Sequence, residues 1–192
     1  MESNTEAEKP LRLFIALVPP QPIQTYANEI KQYFAEHYHS RKAFNSPPHI
    51  TLQPPFEWPA NQVDTLSQGI ADFVENQPIF PVFLEGFAAF PPRVIYMNVV
   101  RSDALIAIKP ALMDFMETRF DIVDKKDQNR PFKPHLTVAF RDLKPAAFRK
   151  AWSEFQDKAV SFEFMATHLT LLRHNGQRWT IQSQYELDRK SA

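Results

Sequence analysis

Two segments of this chain share one pattern, and together they constrain the fold. Pro48-His49-Ile50-Thr51-Leu52 and Pro134-His135-Leu136-Thr137-Val138 both read Pro-His-apolar-Thr-apolar. A strand alternates its side chains between two faces, so His and Thr two positions apart share a face while the apolar residues point the other way. Ile50, Leu52, Leu136 and Val138 are therefore expected in a core, with an imidazole and a hydroxyl side by side on the opposite face of each strand. Two such pairs on one cleft would supply an acid, a base and two hydroxyl donors, enough to move protons around a phosphate without a metal. A third match, His168-Leu169-Thr170-Leu171, lacks the proline and continues an apolar alternation from Val160. It reads as a core or edge strand whose histidine is satisfied locally.

Composition narrows the chemistry. Lysine plus arginine and aspartate plus glutamate balance at 22 each. A protein living on long duplex nucleic acid usually carries a basic excess, so a small or terminal phosphate fits better than a wrapped polymer. The chain has no cysteine, which removes thiolate nucleophiles, disulfides and Cys-ligated zinc. It has only 3 glycines, at 69, 86 and 176. Glycine-rich phosphate loops need clustered glycines, so a phosphate must be held by side chains or a helix N-terminus. No apolar run is long enough to span a membrane and the start, Met1 to Lys9, is acidic and polar, so the cytoplasm is the expected location.

The order of elements follows from periodicity and punctuation. Residues 1–10 read as a loose tail and 11–192 as one domain. Leu11 to Val18 is a strand and residues 22–37 a helix, with Ile23, Ala27, Ile30 and Phe34 at helical spacing. The first motif strand ends near Pro54-Pro55. A helix over about 61–75 follows, then strands 80–87 and 94–100 joined at Pro91-Pro92, then a helix capped by Ser102 or Asp103 and running to about Phe120. The second motif strand, a helix over about 145–157, one long strand 160–173 and a last strand 178–187 after Asn175-Gly176 complete the chain. The alternation implies an α+β fold: a bilobal, duplicated unit with pseudo-twofold symmetry.

The paired motifs resemble the signature of the two-histidine phosphoesterases. The branch they are most similar to comprises the bacterial 2′-5′ RNA ligase-like proteins, which also act as RNA 2′,3′-cyclic phosphodiesterases. Arg12-Leu13-Phe14-Ile15-Ala16-Leu17, Val94 to Val99 and Phe132-Lys133-Pro134-His135 carry the likeness further. The resemblance implies two antiparallel sheets lining a central V-shaped cleft with helices outside, and His49, Thr51, His135 and Thr137 as catalytic residues. It implies hydrolysis of a 2′,3′-cyclic phosphate to a 2′-phosphate without cofactor or metal, on an RNA end or small cyclic nucleotide, with ligation as the reverse. Many members carry Arg five residues after the second His; here that position is Phe140, and Arg141 follows.

Binding candidates are Phe56 and Tyr96 as base-stacking surfaces, with Lys133 and Arg141 as phosphate ligands. Arg41-Lys42 and the cluster Lys125, Lys126, Arg130 lead into the two motifs and would steer an anion. His37-x-His39 has no third metal ligand placed by sequence. Two other readings fit the residues: a module that binds RNA ends or nucleotides without turnover, and a phosphodiesterase of this fold acting on another cyclic or 2′-5′ linkage.

Overall fold

A computed structural model describes residues 9–124 and 131–188. Most of the expected tail and the cluster Lys125, Lys126, Arg130 lie outside the described residues. The order is β1 (Leu11–Leu17), α1 (Gln21–His37), β2 (Ile50–Trp58), α2 (Val63–Val74), β3 (Phe80–Phe90), β4 (Val94–Val99), α3 (Asp103–Phe120), β5 (His135–Ala139), α4 (Pro145–Phe155), β6 (Ser161–Ala166), β7 (His168–His174) and β8 (Trp179–Glu186). The strands form two four-stranded sheets, ordered β2-β1-β7-β8 and β5-β4-β3-β6. Every pairing within them is antiparallel. The α+β class and the paired sheets match expectation.

Each motif strand is an edge: β2 pairs only with β1 and β5 only with β4. The units β1-α1-β2 and β4-α3-β5 therefore correspond, with the motif on the third element of each. The helices brace across this symmetry, since α1 packs on β5 and α3 on β2. The tyrosines Tyr33 and Tyr38 donate to the carboxylate of Glu154 on α4, at 2.8 and 2.7 Å, and tie α1 to that helix. Ser102 is the cap of α3, accepting from the Leu105 N–H at 3.3 Å. That satisfies one of the donors a helix start leaves open. Pro110 lies inside α3 without ending it.

One core runs between the sheets and helices, with Ile50, Leu52, Leu136 and Val138 at 0% exposure. The alternation in both motifs thus places their apolar residues as expected. A small second cluster, Phe14, Ala16 and Leu172 with Trp179 against it, lies on the other face of β1. Both faces of β1 are covered, so residues 13–17 are continuously buried.

The expected single strand 160–173 is two strands. β6 pairs with β3 in one sheet and β7 with β1 and β8 in the other, the chain crossing at Thr167. A strand that changes sheets must bend at the corner, and the apolar alternation on either side hides the bend. Likewise β2 continues to Trp58, past Pro54-Pro55. Proline is tolerated there because β2 is an edge strand. Nor are the two sheets the two sequence halves: β3 follows α2 into the second sheet, and β7 and β8 return to the first.

Candidate active site

The two motifs meet at an open cleft of about 270 Å³ whose walls include His49, Thr51, His135 and Thr137. Each histidine is held the same way. Nδ1 of His49 lies 2.7 Å from the Pro47 carbonyl, and Nδ1 of His135 lies 2.7 Å from the Lys133 carbonyl. A carbonyl oxygen only accepts, so Nδ1 carries the proton in both rings. The nitrogen left to gain or lose a proton is Nε2, twice over. The proline before each motif histidine puts the i−2 residue in extended conformation, which presents its carbonyl to the ring.

Aromatic rings fix the imidazoles in place. Phe14 on β1 packs 4.9 Å from His49 and edge-on to Trp179 at 4.6 Å. Phe90 and Tyr96 pack 5.0 and 5.3 Å from His135. Burial among these groups pushes His49 down to about 4, with help from the charges of Lys31 and His135. His135 is lowered as well, again chiefly by burial. Both rings are therefore neutral at neutral pH when no anion lies between them. An anion placed there would favour the imidazolium form of one, since an opposite charge nearby stabilises the charged state. The arrangement can then present a neutral Nε2 and a protonated Nε2 to one group, flanked by two hydroxyls.

Polar groups from the loop before β2 complete the wall. Lys42, Asn45 and Ser46 line the cleft. Their segment is pinned by Asp142, which follows β5: its carboxylate accepts from the Ser40 hydroxyl at 2.9 Å and from the N–H groups of Arg41 and Lys42 at 2.6 and 2.9 Å. Behind the loop Lys31 on α1 is 1% exposed. Its Nζ donates to the Ser46 carbonyl at 3.0 Å, and burial pushes it down to about 8.

The sequence-derived binding residues fare unevenly. Lys133 is exposed and lines a neighbouring chamber with His135 and Thr51. Phe56 is not brought to the cleft; it pairs with Leu13 of β1 and packs against the core. Pro55 takes the place on the cleft wall. Tyr96 is 8% exposed and is a packing partner of His135 rather than a free stacking face. Arg141 is exposed with its guanidinium 5.2 Å over the Phe140 ring, and it is Phe140 that lines the cleft. The strand ends at Ala139, so the parity that would set Phe140 apart from His135 no longer applies.

His168 sits at the start of β7 outside the cleft. Its Nδ1 is 2.8 Å from the Thr167 hydroxyl and its Nε2 3.6 Å from Glu186, the local satisfaction expected of it. Among the described residues no group of three or more His, Cys, Asp or Glu side chains converges as a metal site, and His37 and His39 gain no third ligand. No helix among them is long and apolar enough to cross a membrane. Phe14, Asn45, Ser46, Phe140 and Trp179 were not singled out by sequence. Phe14 left a signal as a bulky residue on the face of β1 opposite Leu13 and Ile15, and Phe140 as the residue five positions after the second motif histidine.

Comparison with known proteins agrees with this architecture. The sequence pattern of the 2'-5' RNA ligase superfamily matches residues 19–178. A Geobacillus kaustophilus protein named as a phosphoesterase is 28% identical over 176 residues, spanning 89% of this chain and 93% of that one. A Bacillus cytotoxicus protein, also named as a phosphoesterase, is 24% identical over 94% of this chain and 99% of its own. The crystal structure of E. coli LigT complexed with 3'-AMP superposes with a TM-score of 0.65 at 22% identity, covering 94% of this chain and all of LigT. The crystal structure of a Thermus thermophilus protein, TT0787, gives 0.66 at 19% identity over 93% of this chain and 99% of its own. At these identities the structures show a shared fold.

Proposed function

The chain belongs to the 2'-5' RNA ligase superfamily of two-histidine phosphoesterases, and on that premise we propose that it opens 2′,3′-cyclic phosphates at RNA ends or on nucleotides, leaving a 2′-phosphate. The observation that carries this reading is the matched pair of imidazoles. Both are anchored through Nδ1 at 2.7 Å, both border one cleft, and each has a threonine two residues on.

In the proposed reaction the cyclic phosphate seats between the histidines and its negative charge draws a proton onto one of them. Water attacks phosphorus. The neutral histidine takes a proton from the water at Nε2. The P–O3′ bond breaks and the protonated histidine donates from Nε2 to the departing O3′. Thr51 and Thr137 donate to the non-bridging oxygens, where charge builds in the transition state. Each histidine contributes on the order of 10²–10⁴ in rate as acid or base. Every group required is a side chain of this protein, so the reaction calls for no cofactor. The E. coli LigT structures complexed with 3'-AMP, NADP+ and ATP support a nucleotide as the ligand class.

The test is to incubate protein with adenosine 2′,3′-cyclic phosphate in EDTA and resolve the two monophosphate products. The 2′-phosphate alone, with turnover lost in His49→Ala and in His135→Ala, is the expected result. A 3′-phosphate product, or turnover untouched by either substitution, overturns the proposal.

A further inference from the structure

The segments that lead into the two motifs are held by a second matched set of bonds. Residues 46–49 and 131–134 belong to no strand or helix. Pro47, Pro48, Pro131 and Pro134 have no N–H, so these segments are poor in main-chain donors and are tied down through their carbonyls. In the first, the Lys31 ammonium donates to the Ser46 carbonyl at 3.0 Å, and His49 Nδ1 donates to the next carbonyl, Pro47, at 2.7 Å. In the second, the Arg101 guanidinium donates to the Phe132 carbonyl at 3.0 Å, and His135 Nδ1 donates to the next carbonyl, Lys133, at 2.7 Å. A cation thus grips the carbonyl three residues before each motif histidine, and the histidine grips the one after it. The cations come from unlike places, Lys31 from the body of α1 and Arg101 from the link before α3. The duplicated fold alone therefore does not supply the match.

Chain stiffness passes the grip on to the ring. The proline ring fixes φ of Pro47, and Pro48 behind it holds Pro47 extended. Once Lys31 fixes the Ser46–Pro47 peptide, little rotation is left in the Pro47 carbonyl that His49 meets. In the second lead-in Pro134 restrains Lys133 in the same way, while φ of Lys133 stays free until Arg101 fixes the peptide before it. Both tethers have an ionised donor, which makes a shorter and stronger bond than a neutral one. Lys31 is also expensive where it stands. It is 1% exposed on the buried face of α1, with Ile23, Ala27 and Phe34. Among the described residues no carboxylate offsets the burial of its charge. An apolar side chain there would carry no such desolvation cost. The bond to Ser46 is what the lysine adds.

We propose that Lys31 and Arg101 are the positioning residues of His49 and His135: each holds the main chain so that the next carbonyl meets Nδ1, which keeps the ring proton there and leaves Nε2 free for the phosphate. This deepens the two-histidine reading and rests on it for its effect on turnover. Neither cation lines the cleft, so each acts through its histidine. A ring that loses its carbonyl can carry its proton on Nε2 instead, and a neutral imidazole in that form cannot take a proton from water there.

Two-bond proton–nitrogen NMR correlations on the intact protein at pH ~7 read which ring nitrogen of each histidine carries the proton. Lys31→Met should turn His49 into a mixture of the two neutral forms, its nitrogen shifts drawing together, while His135 stays as in the wild type. Lys31→Leu repeats the test if the first variant fails to fold. Arg101→Met, at an exposed position, should do the reverse, and Arg101→Lys, which keeps a cation, should restore His135. On a 2′,3′-cyclic nucleotide each apolar variant should lose about tenfold to a hundredfold in kcat with a smaller change in KM, the scale of a slightly misplaced catalytic group. A variant that leaves its own histidine with the proton on Nδ1, or that changes both rings alike, overturns the assignment. The spectra need no substrate, which separates this claim from the catalytic one. Crossed ring responses in a protein that hydrolyses no cyclic phosphate sink only the reaction, and unmoved rings in one that does sink only the tethers.

Discussion

The neutral state of His49 should be visible as acid lability of the fold. Its ordinary value is 6.5, and burial beside Phe14, reinforced by Lys31 and His135, pushes it down to about 4. The unfolded chain then binds a proton that the folded chain resists. The stability this group contributes is present above the unfolded value and is lost as pH falls through the folded one. The linkage integrates to a loss of roughly 2–3 kcal/mol at pH ~4.5, and to almost nothing at pH ~7. His49→Asn removes the titration while its side-chain amide can still donate to the Pro47 carbonyl. Urea unfolding of both proteins at the two pH values measures the effect. The wild type should lose roughly 2 kcal/mol more than His49→Asn on acidification. Parallel losses in the two proteins would show that His49 is not held neutral, and the reasoning about the neutral pair would fail.

Three further outcomes follow from the same geometry. Thr51→Val and Thr137→Val keep shape but remove the hydroxyl, and each should lower kcat by about 10²-fold in steady-state kinetics, with a smaller change in KM. Asp142→Ala leaves three donors on residues 40–42 without their acceptor; urea unfolding should register a loss of about 1–3 kcal/mol, and KM should rise as Lys42, Asn45 and Ser46 lose their anchor. A diester ligand of fixed charge and no neighbouring hydroxyl, such as a 3′-deoxynucleoside 2′-(methyl phosphate), should bind more tightly at pH ~6 than at pH ~8. The reason is that the anion raises the lowered histidines and takes up a proton, and calorimetry in buffers of different ionisation enthalpy reads that uptake directly.

The parts of the site that could be read from the sequence are those set by local periodicity. Period-two alternation sends Ile50, Leu52, Leu136 and Val138 to the core and leaves each His and Thr on the other face, whatever the tertiary arrangement. Beyond the motif the rule lapses: β2 is irregular between Thr51 and Phe56, and Gln53, two residues after Thr51, is buried. What escaped is long-range. Nothing near Asp142 says that it will hold a loop about a hundred residues earlier; Lys31 does share the apolar face of α1 with Ile23, Ala27 and Phe34, but nothing there names the Ser46 carbonyl as its partner. Tyr96 looked like a platform because strand pattern reports the face a ring is on, not the neighbour that covers it. The crossing at Thr167 was hidden for a similar reason, since alternation is the same on both sides of a corner. Composition was informative in the negative: with three glycines, none of them clustered, a glycine-rich phosphate loop is excluded.

The central claim is that His49 and His135 work as one acid–base pair, and the most direct measurement is kcat/KM on a 2′,3′-cyclic nucleotide for His49→Ala, His135→Ala and the double variant. Groups that act as a unit are grossly non-additive. The account predicts that each single variant loses on the order of 10²–10⁴ and that the double variant is no slower than the slower single. Losses that multiply in the double variant, or a single variant within about tenfold of wild type, would contradict it.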